Sequence, residues 1–153
     1  MSRIFVNNLE AEWDTIKAGI KQEMISRAYL GANELRNQAV DKVLKGRRSG
    51  RTYRVPMTKK HYRASAPGEP PAVRTGLFRM SWHPEVTVEG QQGDLFIVKS
   101  EITNSLRVGE HLLGEILEHG TTRMAPRPHH EKIQKAALPA IKRIYDRPYG
   151  GGG

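Results

Sequence analysis

Histidine and glutamate side chains are the residues of this sequence with the clearest potential for chemistry, because imidazole nitrogens and carboxylates together bind transition metals. The six histidines are His61, His83, His111, His119, His129 and His130. A metal cluster could combine His111, His119 and His129 or His130 with Glu115 and Glu118. Their spacings match neither the helical zinc motif, with a glutamate between two histidines, nor a zinc finger. The sequence therefore predicts no metal site, and the histidines are interpreted as solvent-facing or interface groups.

Nucleophilic and phosphate-binding chemistry also lacks its usual motifs in this sequence. The chain contains no cysteine, which excludes a thiol nucleophile, and no Gly-x-Ser-x-Gly elbow. Gly90 and Gly93 lie in a polar segment, and no Lys-Ser or Lys-Thr pair follows them to complete a phosphate loop. We therefore predict a protein that is not an enzyme and has no catalytic residue, metal or cofactor. A hydrolase that uses the histidine–glutamate cluster stays an alternative.

A run of cations in the middle of the chain, the basic loop, is the strongest candidate for binding. Residues 46–82 carry 9 basic and 1 acidic side chains, whereas residues 83–126 carry 3 basic and 7 acidic ones. The cations of the basic loop are Arg47, Arg48, Arg51, Arg54, Lys59, Lys60 and Arg63. Together with Tyr53 and Tyr62, they are suited to bind phosphates and stack bases. A solvated loop, or one that contacts an acidic protein surface, is an equally good interpretation.

Length and composition indicate one domain, residues 1–146, followed by a flexible glycine-rich tail, residues 147–153. A chain of 153 residues can form a hydrophobic core without disulfides. Disulfides are excluded, because the chain contains no cysteine. No apolar stretch approaches the roughly 18–20 residues that cross a bilayer, and the first residues do not resemble a signal peptide. We therefore expect a protein without a membrane partner that stays in the cytosol where it is made.

One long helix is predicted from residue 8 to about residue 45, with Asn7 or Asn8 as its cap. Apolar residues recur along it at steps of three and four, which indicates one buried stripe. The stripe comprises Leu9, Trp13, Ile16, Ile20, Met24, Ala28, Ala32 or Leu35, Ala39 and Val43. Gly46 is expected to end the helix. At ~1.5 Å per residue the helix is long for so small a domain. Part of it should therefore pack on another surface.

Short elements and loops are predicted in the middle of the chain. A long loop covers residues 46–74 and contains a short strand, Thr52–Val55, which Pro56 ends. Thr75 is expected to cap two helical turns that reach Trp82. An antiparallel hairpin should follow, with its turn at Gly90–Gly93.

The last part of the chain is predicted to be mainly helical. Residues 104–118 fit a strand or a short helix, and we interpret them as a short helix that Gly120 closes. A second helix is predicted over residues 129–145 from its apolar stripe. Because Pro139 removes one backbone hydrogen bond in the middle of this helix, a kink or break is expected near Leu138.

Two short motifs occur in order along the chain. The first is Ser-Ala-Pro-Gly-Glu-Pro-Pro at residues 65–71, which leads into Thr-Gly-Leu-Phe-Arg-Met-Ser at residues 75–81. The second is Glu-His-Gly-Thr at residues 118–121, which leads to Arg127-Pro128 and the final helix. In this order, and over about residues 50–140, the chain resembles the tail-completion (neck) proteins of long-tailed phages and prophages. It departs from them where His119 and His129 replace the usual aromatic residues.

This resemblance implies an α+β fold in which a long N-terminal helix packs on a small antiparallel β-sheet, with a C-terminal helix alongside. It implies a structural virion protein that forms a ring, commonly of six subunits, between the head connector or its adaptor and the tail tube or its terminator. The genome would pass through the channel, so contact with DNA would not depend on its sequence. The protein would lie in the virion neck, and in the host cytoplasm during assembly.

The resemblance also assigns roles to two loops. The docking loop comprises Ser65, Pro67, Gly68, Pro70 and Pro71. The second motif loop comprises Glu118, Gly120, Thr121, Arg127 and Pro128. The stiff docking loop should contact neighbouring proteins at little entropic cost, and shortening it is expected to block head–tail joining while leaving the fold intact. The basic loop would face either the DNA channel or a neighbouring protein, and a basic nucleic-acid-binding protein is the alternative function.

Overall fold

A computed structural model describes residues 3–92 and 95–150, with the side chains of residues 13–89 and 97–150. The fold is α+β, as predicted, and combines a long N-terminal helix, small antiparallel sheets of two strands each and a C-terminal helix. The helices are α1 (Arg3–Asn37), α2 (Leu77–Met80), α3 (Leu113–His119) and α4 (His130–Tyr145). The strands are β1 (Thr52–Arg54), β2 (His61–Arg63), β3 (His83–Gln92), β4 (Leu95–Thr103), β5 (Arg107–Val108) and β6 (His111–Leu112). Among the described residues, no helix combines the length and apolar character needed to cross a membrane.

Both predicted ends of the first helix need correction. Helix α1 begins at Arg3, so Asn7 and Asn8 lie inside it and do not cap it. An asparagine within a helix costs only about 0.7 kcal/mol or less, and no proline or glycine stops the helix earlier. At the other end the helix widens into a π-helical segment, Gln38–Val43.

The π-helical segment explains why Gly46 is not the predicted helix cap. The Leu44 N–H donates to the Ala39 carbonyl at 2.9 Å, which closes the wide turn two residues before Gly46. Gly46 itself does not have a positive φ, and its N–H donates to the Lys42 carbonyl at 3.2 Å. The helix thus ends by a backbone hydrogen bond rather than by a left-handed glycine.

Helix α1 buries only the second part of its apolar stripe. Ala28 and Ala32 are fully buried where α1 packs on β3, β4 and α4, whereas Trp13 and Ile16 are 55% and 51% exposed. The small buried side chains allow close approach, and the Ser100 hydroxyl donates to the Ala28 carbonyl at 2.8 Å. The stripe therefore extends beyond the surface that the core of one copy covers.

The core lies where the end of α1, helix α4 and Trp82 meet. Val40, Leu44 and Ile133 are buried around Trp82. Phe78 packs edge-to-face on Trp82, with ring centroids 5.7 Å apart. The segment that follows the docking loop is therefore anchored in the hydrophobic core.

The predicted hairpin is formed by β3 and β4, which pair from His83 opposite Thr103 towards the turn. A β-bulge between Glu89 and Gln91 shifts the register beside Gly90. The turn predicted at Gly90–Gly93 falls partly in β3 and partly outside the described residues. The short helix predicted before Gly120 is α3, and a two-residue hairpin, β5–β6, precedes it.

Two further helical predictions differ from the structure. Helix α2 makes one turn instead of two, and strand β3 begins soon after it at His83, which precedes Pro84 and is thereby restricted to extended backbone. Helix α4 continues from His130 to Tyr145 through Pro139, so the helix does not break near Leu138, while the kink stays a prediction. Its buried Ile133 and Ala137 hold the helix against the core, and this packing outweighs the hydrogen bond that proline lacks.

The start of the predicted flexible tail contacts helix α1. Arg27 is 6% exposed and donates hydrogen bonds to the carbonyls of Arg147 and Pro148. Its guanidinium carbon lies 3.9 Å from the centre of the Tyr149 ring. The Gly150 N–H donates to Glu23, so residues 147–150 lie along the helix instead of leaving the domain, while residues 151–153 lie outside the described part.

Leu44→Ala should lower the free energy of unfolding by about 2–5 kcal/mol, because Leu44 is 1% exposed and its truncation leaves a cavity beside Trp82. The matched control is Leu30→Ala in helix α1, where the side chain is 51% exposed and the expected change is below about 0.5 kcal/mol. Urea denaturation of both variants checks the assignment of the core. Equal losses in the two variants would show that Leu44 is not part of it.

Candidate functional site

The docking loop is an internally hydrogen-bonded structure. Ser65 is buried, and its hydroxyl donates to the Pro70 carbonyl at 2.6 Å across the loop. The Glu69 carboxylate accepts the Ser49 hydroxyl at 2.6 Å, the Ser49 N–H at 3.0 Å and the Ala66 N–H at 2.8 Å. These hydrogen bonds, first those from Ser49, lower the pKa of Glu69 to about 2. The loop is therefore closed on itself and fastened to the chain before β1.

Gly68 joins the docking loop to the second half of the domain. Its φ of +81° is the left-handed conformation that glycine adopts at little cost. Its N–H donates to the Pro126 carbonyl at 3.2 Å, and its carbonyl accepts the Lys132 ammonium at 2.6 Å. The two motifs, separated along the sequence, thus meet in one continuous surface.

The prediction that the docking loop can be shortened without harm to the fold conflicts with these contacts. Ser65 and Pro71 are both buried, and Gly68 hydrogen-bonds to the second motif loop. A deletion between residues 65 and 71 would remove hydrogen bonds that fix the fold as well as any binding surface. Substitutions of exposed side chains therefore test binding more cleanly.

The second motif loop is a compact turn that Gly120 makes possible. The φ of Gly120 is +76°, and a Cβ at this position would lie 2.6 Å from the Met124 carbonyl oxygen. The Thr121 hydroxyl accepts the backbone N–H groups of Arg123 and Met124 at 3.2 and 3.1 Å. The Arg127 N–H then donates to the Leu117 carbonyl at 2.7 Å, which returns the chain to α3.

Glu118 caps helix α4 from outside that helix. Its Oε2 accepts the backbone N–H of His129 at 2.8 Å and that of His130 at 3.2 Å. Burial raises the pKa of Glu118, but these two hydrogen bonds and the neighbouring histidines outweigh the effect, so its pKa is lowered overall. An ionised carboxylate thus supplies the N-terminal cap that no side chain of α4 provides.

The buried ring of His129 connects the two motifs. His129 is fully buried, and its ring lies edge-on to those of Phe78 and Trp82 at centroid distances of 5.5 and 5.9 Å. Burial lowers the pKa of His129, more than the hydrogen bond to the Arg127 carbonyl raises it. The neutral imidazole therefore packs as an aromatic core residue at the position where the resembled family has an aromatic side chain.

Within the described part of the chain, Glu118, His129 and His130 form a group that could supply ligands to one metal ion, with ligand atoms within 4.8 Å of one another. The sequence prediction rejected such a set from spacing alone, and the structure brings these three together without His111. Their contacts favour a helix cap. His129 Nδ1 lies 2.9 Å from both Glu118 Oε2 and the Arg127 carbonyl, so it carries a proton. Two backbone N–H groups at the positive end of α4 also point at the carboxylate, which disfavours a cation there.

The basic loop contains a small hairpin, β1 paired with β2, in which Tyr53 lies opposite Tyr62 with ring centroids 6.0 Å apart. The predicted strand at Thr52–Val55 is thus confirmed over Thr52–Arg54, and its partner strand was not predicted. The cations whose exposed side chains have no hydrogen bond or ion pair in the described part of the chain are Arg47, Arg51, Lys59, Lys60 and Arg63.

Two arginines of the basic loop have structural contacts instead. Arg48 Nη2 donates to the Val43 carbonyl at 2.7 Å and to the Pro71 carbonyl at 3.1 Å, which ties the end of α1 to the docking loop. Arg54 Nε donates to the Thr58 carbonyl at 2.6 Å within the hairpin. The sequence does not distinguish a structural arginine from one that binds an anionic partner. Both have the same residue type, and only the fold shows which guanidinium groups donate to backbone carbonyls.

Glu69→Gln should remove a pH-dependent part of the stability. Since the folded pKa of Glu69 is about 2 against an ordinary 4.5, its contribution is complete above about pH 4.5 and is lost as pH falls towards 2. The difference in unfolding free energy between the native chain and the variant should therefore shrink over this window. Denaturation at several pH values measures it, with Glu110→Gln as an exposed control. A difference that is constant from pH 7 to 2 would contradict the Glu69 hydrogen bonds.

Glu118→Ala should lower the free energy of unfolding by about 1–2 kcal/mol, because it removes the acceptor for two N–H groups at the start of α4. Glu115→Ala, one turn earlier and exposed, is the control and should change it by less than about 0.5 kcal/mol. A chelator should leave the thermal midpoint of the native chain unchanged. A midpoint that falls with chelator and recovers with Zn²⁺ would show that the cluster binds metal.

Comparison with known proteins adds no relative to this picture. Neither family models nor curated proteins nor solved structures give a match to this chain. Functional inference therefore depends on the two motifs and on the surface that their residues form.

Proposed function

We propose that this protein is a structural component of the neck of a long-tailed phage, where it forms a closed ring that joins the head connector to the tail tube. The observation that supports this most is the union of the two motifs: Gly68 of the first hydrogen-bonds to Pro126 of the second, and His129 packs between Phe78 and Trp82. Motif residues far apart in sequence thus build one surface, as expected if the motifs serve one shared task.

A ring also accounts for an apolar surface and a charge distribution that the fold of one copy does not explain. The apolar stripe of α1 continues past the core to the exposed Trp13 and Ile16. Net charge is divided between a basic segment, residues 46–82, and an acidic one, residues 83–126. Repeated contacts between copies of one chain can match acidic surfaces with cations of the basic segment that lie outside the basic loop, Arg74 and Arg79, around a ring. We propose that the other partners are the head connector or its adaptor and the tail tube or its terminator.

In this proposal the protein has no catalytic role and requires no cofactor. The docking loop is pre-shaped by its own hydrogen bonds, so that binding a neighbour orders little chain. The exposed cations of the basic loop face the DNA that passes through the channel and contact phosphates without reading sequence. The protein lies in the virion neck, after assembly in the host cytoplasm.

A second candidate function is that of a basic nucleic-acid-binding protein that acts without a ring. The exposed hairpin favours it, since cations there flank the paired rings of Tyr53 and Tyr62. Phosphate contacts from the cations and stacking on the tyrosines are the physical basis of such binding. This candidate predicts tight binding of free duplex or single strands by the monomer, with an affinity that falls steeply with salt.

The oligomeric state of the purified chain distinguishes the two candidate functions. The neck proposal predicts particles of one defined copy number by light scattering, with a central channel in electron micrographs. Alanine at Arg47, Arg51, Lys59, Lys60 and Arg63 should preserve the ring, since these side chains are exposed and, within the described residues, make no hydrogen bond or ion pair. A chain that stays monomeric at high concentration, but loses salt-sensitive DNA binding in this variant, would support the second candidate and contradict the first.

A further inference from the structure

A half-open groove of about 510 Å³ lies beside the docking loop, between the segment around α2 and the segments that flank α3. Its lining is mainly apolar. Leu113, Leu117 and Met124 line the groove. Leu77 and Val108 line it as well, and their side chains are 61% and 56% exposed. Large apolar side chains held open to water in a concave site are typical of a surface that a partner covers.

The charged side chains of the groove are all cationic. Arg74, Arg79 and Arg127 line it, and no acidic side chain does so among the described residues. Arg79 Nη1 donates to the Val40 carbonyl at 3.0 Å. Arg127 Nη1 and Arg79 Nε are buried and have no hydrogen-bond partner within the described residues. Because the charged side chains that line the groove are all cationic and Arg74 is exposed, the groove favours an occupant that combines apolar side chains with carboxylates.

The first part of helix α1 has this combination. Trp13 and Ile16 are 55% and 51% exposed and are three residues apart, so they lie on neighbouring positions of one helix face. The sequence of residues 10–14 includes three carboxylates, and the described one, Asp14, makes an exposed i,i+3 ion pair with Lys17 at 3.1 Å. Such an exposed ion pair contributes little and is easily exchanged.

The helix cannot fill the groove of its own copy. Leu44, at the end of the same helical segment, lines the groove. At ~1.5 Å per residue, Trp13 therefore lies about 45 Å away from it. The apolar stripe and the groove are two different surfaces at opposite ends of one long element, and each lacks a partner of its own among the described residues.

We propose that the groove of one copy receives the Trp13–Ile16 face of helix α1 from the next copy. This inference rests on the proposed ring, and it names the contact that builds it. Since two different surfaces meet, the contact is head-to-tail, and such a contact generates a closed ring when its rotation closes. The Asp14 carboxylate then lies beside the cationic side chains of the groove, such as Arg74, and the long helix bridges adjacent subunits.

Disulfide cross-linking tests this contact directly, because the native chain has no cysteine and every disulfide must join the introduced positions. Ile16→Cys protein is mixed with Leu77→Cys or Val108→Cys protein and oxidised at high concentration. A disulfide forms only when the two Cα atoms lie within about 7 Å of each other. A cross-linked dimer therefore shows that the two substituted positions are in direct contact. We expect the mixed dimer to exceed either homodimer severalfold, and the double variant Ile16→Cys/Leu77→Cys to give a ladder that ends at the ring size.

A matched control is Met57→Cys, whose side chain is fully exposed in the turn between β1 and β2 and lies outside the groove. Its mixture with Ile16→Cys should show no excess of mixed dimer. Dimers formed mainly through Ile16 alone would indicate pairing of two α1 helices and overturn the inference. A ring seen by light scattering without a link from Ile16 to Leu77 or Val108 would overturn it and leave the neck proposal intact. A monomer without cross-links would overturn both.

Discussion

The carboxylate of Glu118 is the contact on which most of this structure depends. It belongs to α3, yet it accepts the two backbone N–H groups that begin α4. This fixes the direction in which the last helix leaves the second motif loop, and it places His129 in the core against Phe78 and Trp82. Because Trp82 packs on the end of α1, one ionised side chain orients the elements that surround the core. A partly buried charge of this kind is tolerated because its hydrogen bonds replace those that water would provide.

The same arrangement explains why the docking loop has a defined shape although it is rich in proline and lies on the surface. The loop is closed by the Ser65 hydroxyl and by Glu69, and Gly68 fastens it to Pro126 beside the capped helix. Such a loop loses little conformational freedom when it binds, so more of the contact energy appears as affinity. The exposed hairpin of the basic loop differs, because within the described residues its strands pack on each other rather than on the core. The molecule thus combines a loop held in one shape by its own hydrogen bonds with a separate cationic hairpin.

The sequence predicted the elements that depend on local order. Helix α1 follows from its apolar period, the β3–β4 hairpin from alternation, and α3 from the glycine that closes it. It could not predict contacts between distant residues, such as the carbonyl capping by Arg48 or the burial of Arg27 under the C-terminal segment. Local cap signals at Asn7 and Gly46 failed because a helix end is decided by packing and by the π-turn that closes it. The sequence spacing of the histidines and glutamates did not match a metal-binding motif. Three of these residues nevertheless meet, because the fold brings α3 to the start of α4.

The central physical claim is that the two motif loops form one unit rather than two independently moving segments. Amide hydrogen exchange of the native chain tests it most directly, at the Gly68 N–H, which donates to Pro126, and at the Arg127 N–H, which donates to Leu117. If the loops open together, both amides exchange with the same free energy of opening, close to that of the α4 core. Exchange of Gly68 at the rate of an unprotected amide, while Arg127 stays protected, would show that the docking loop moves on its own and would contradict the account.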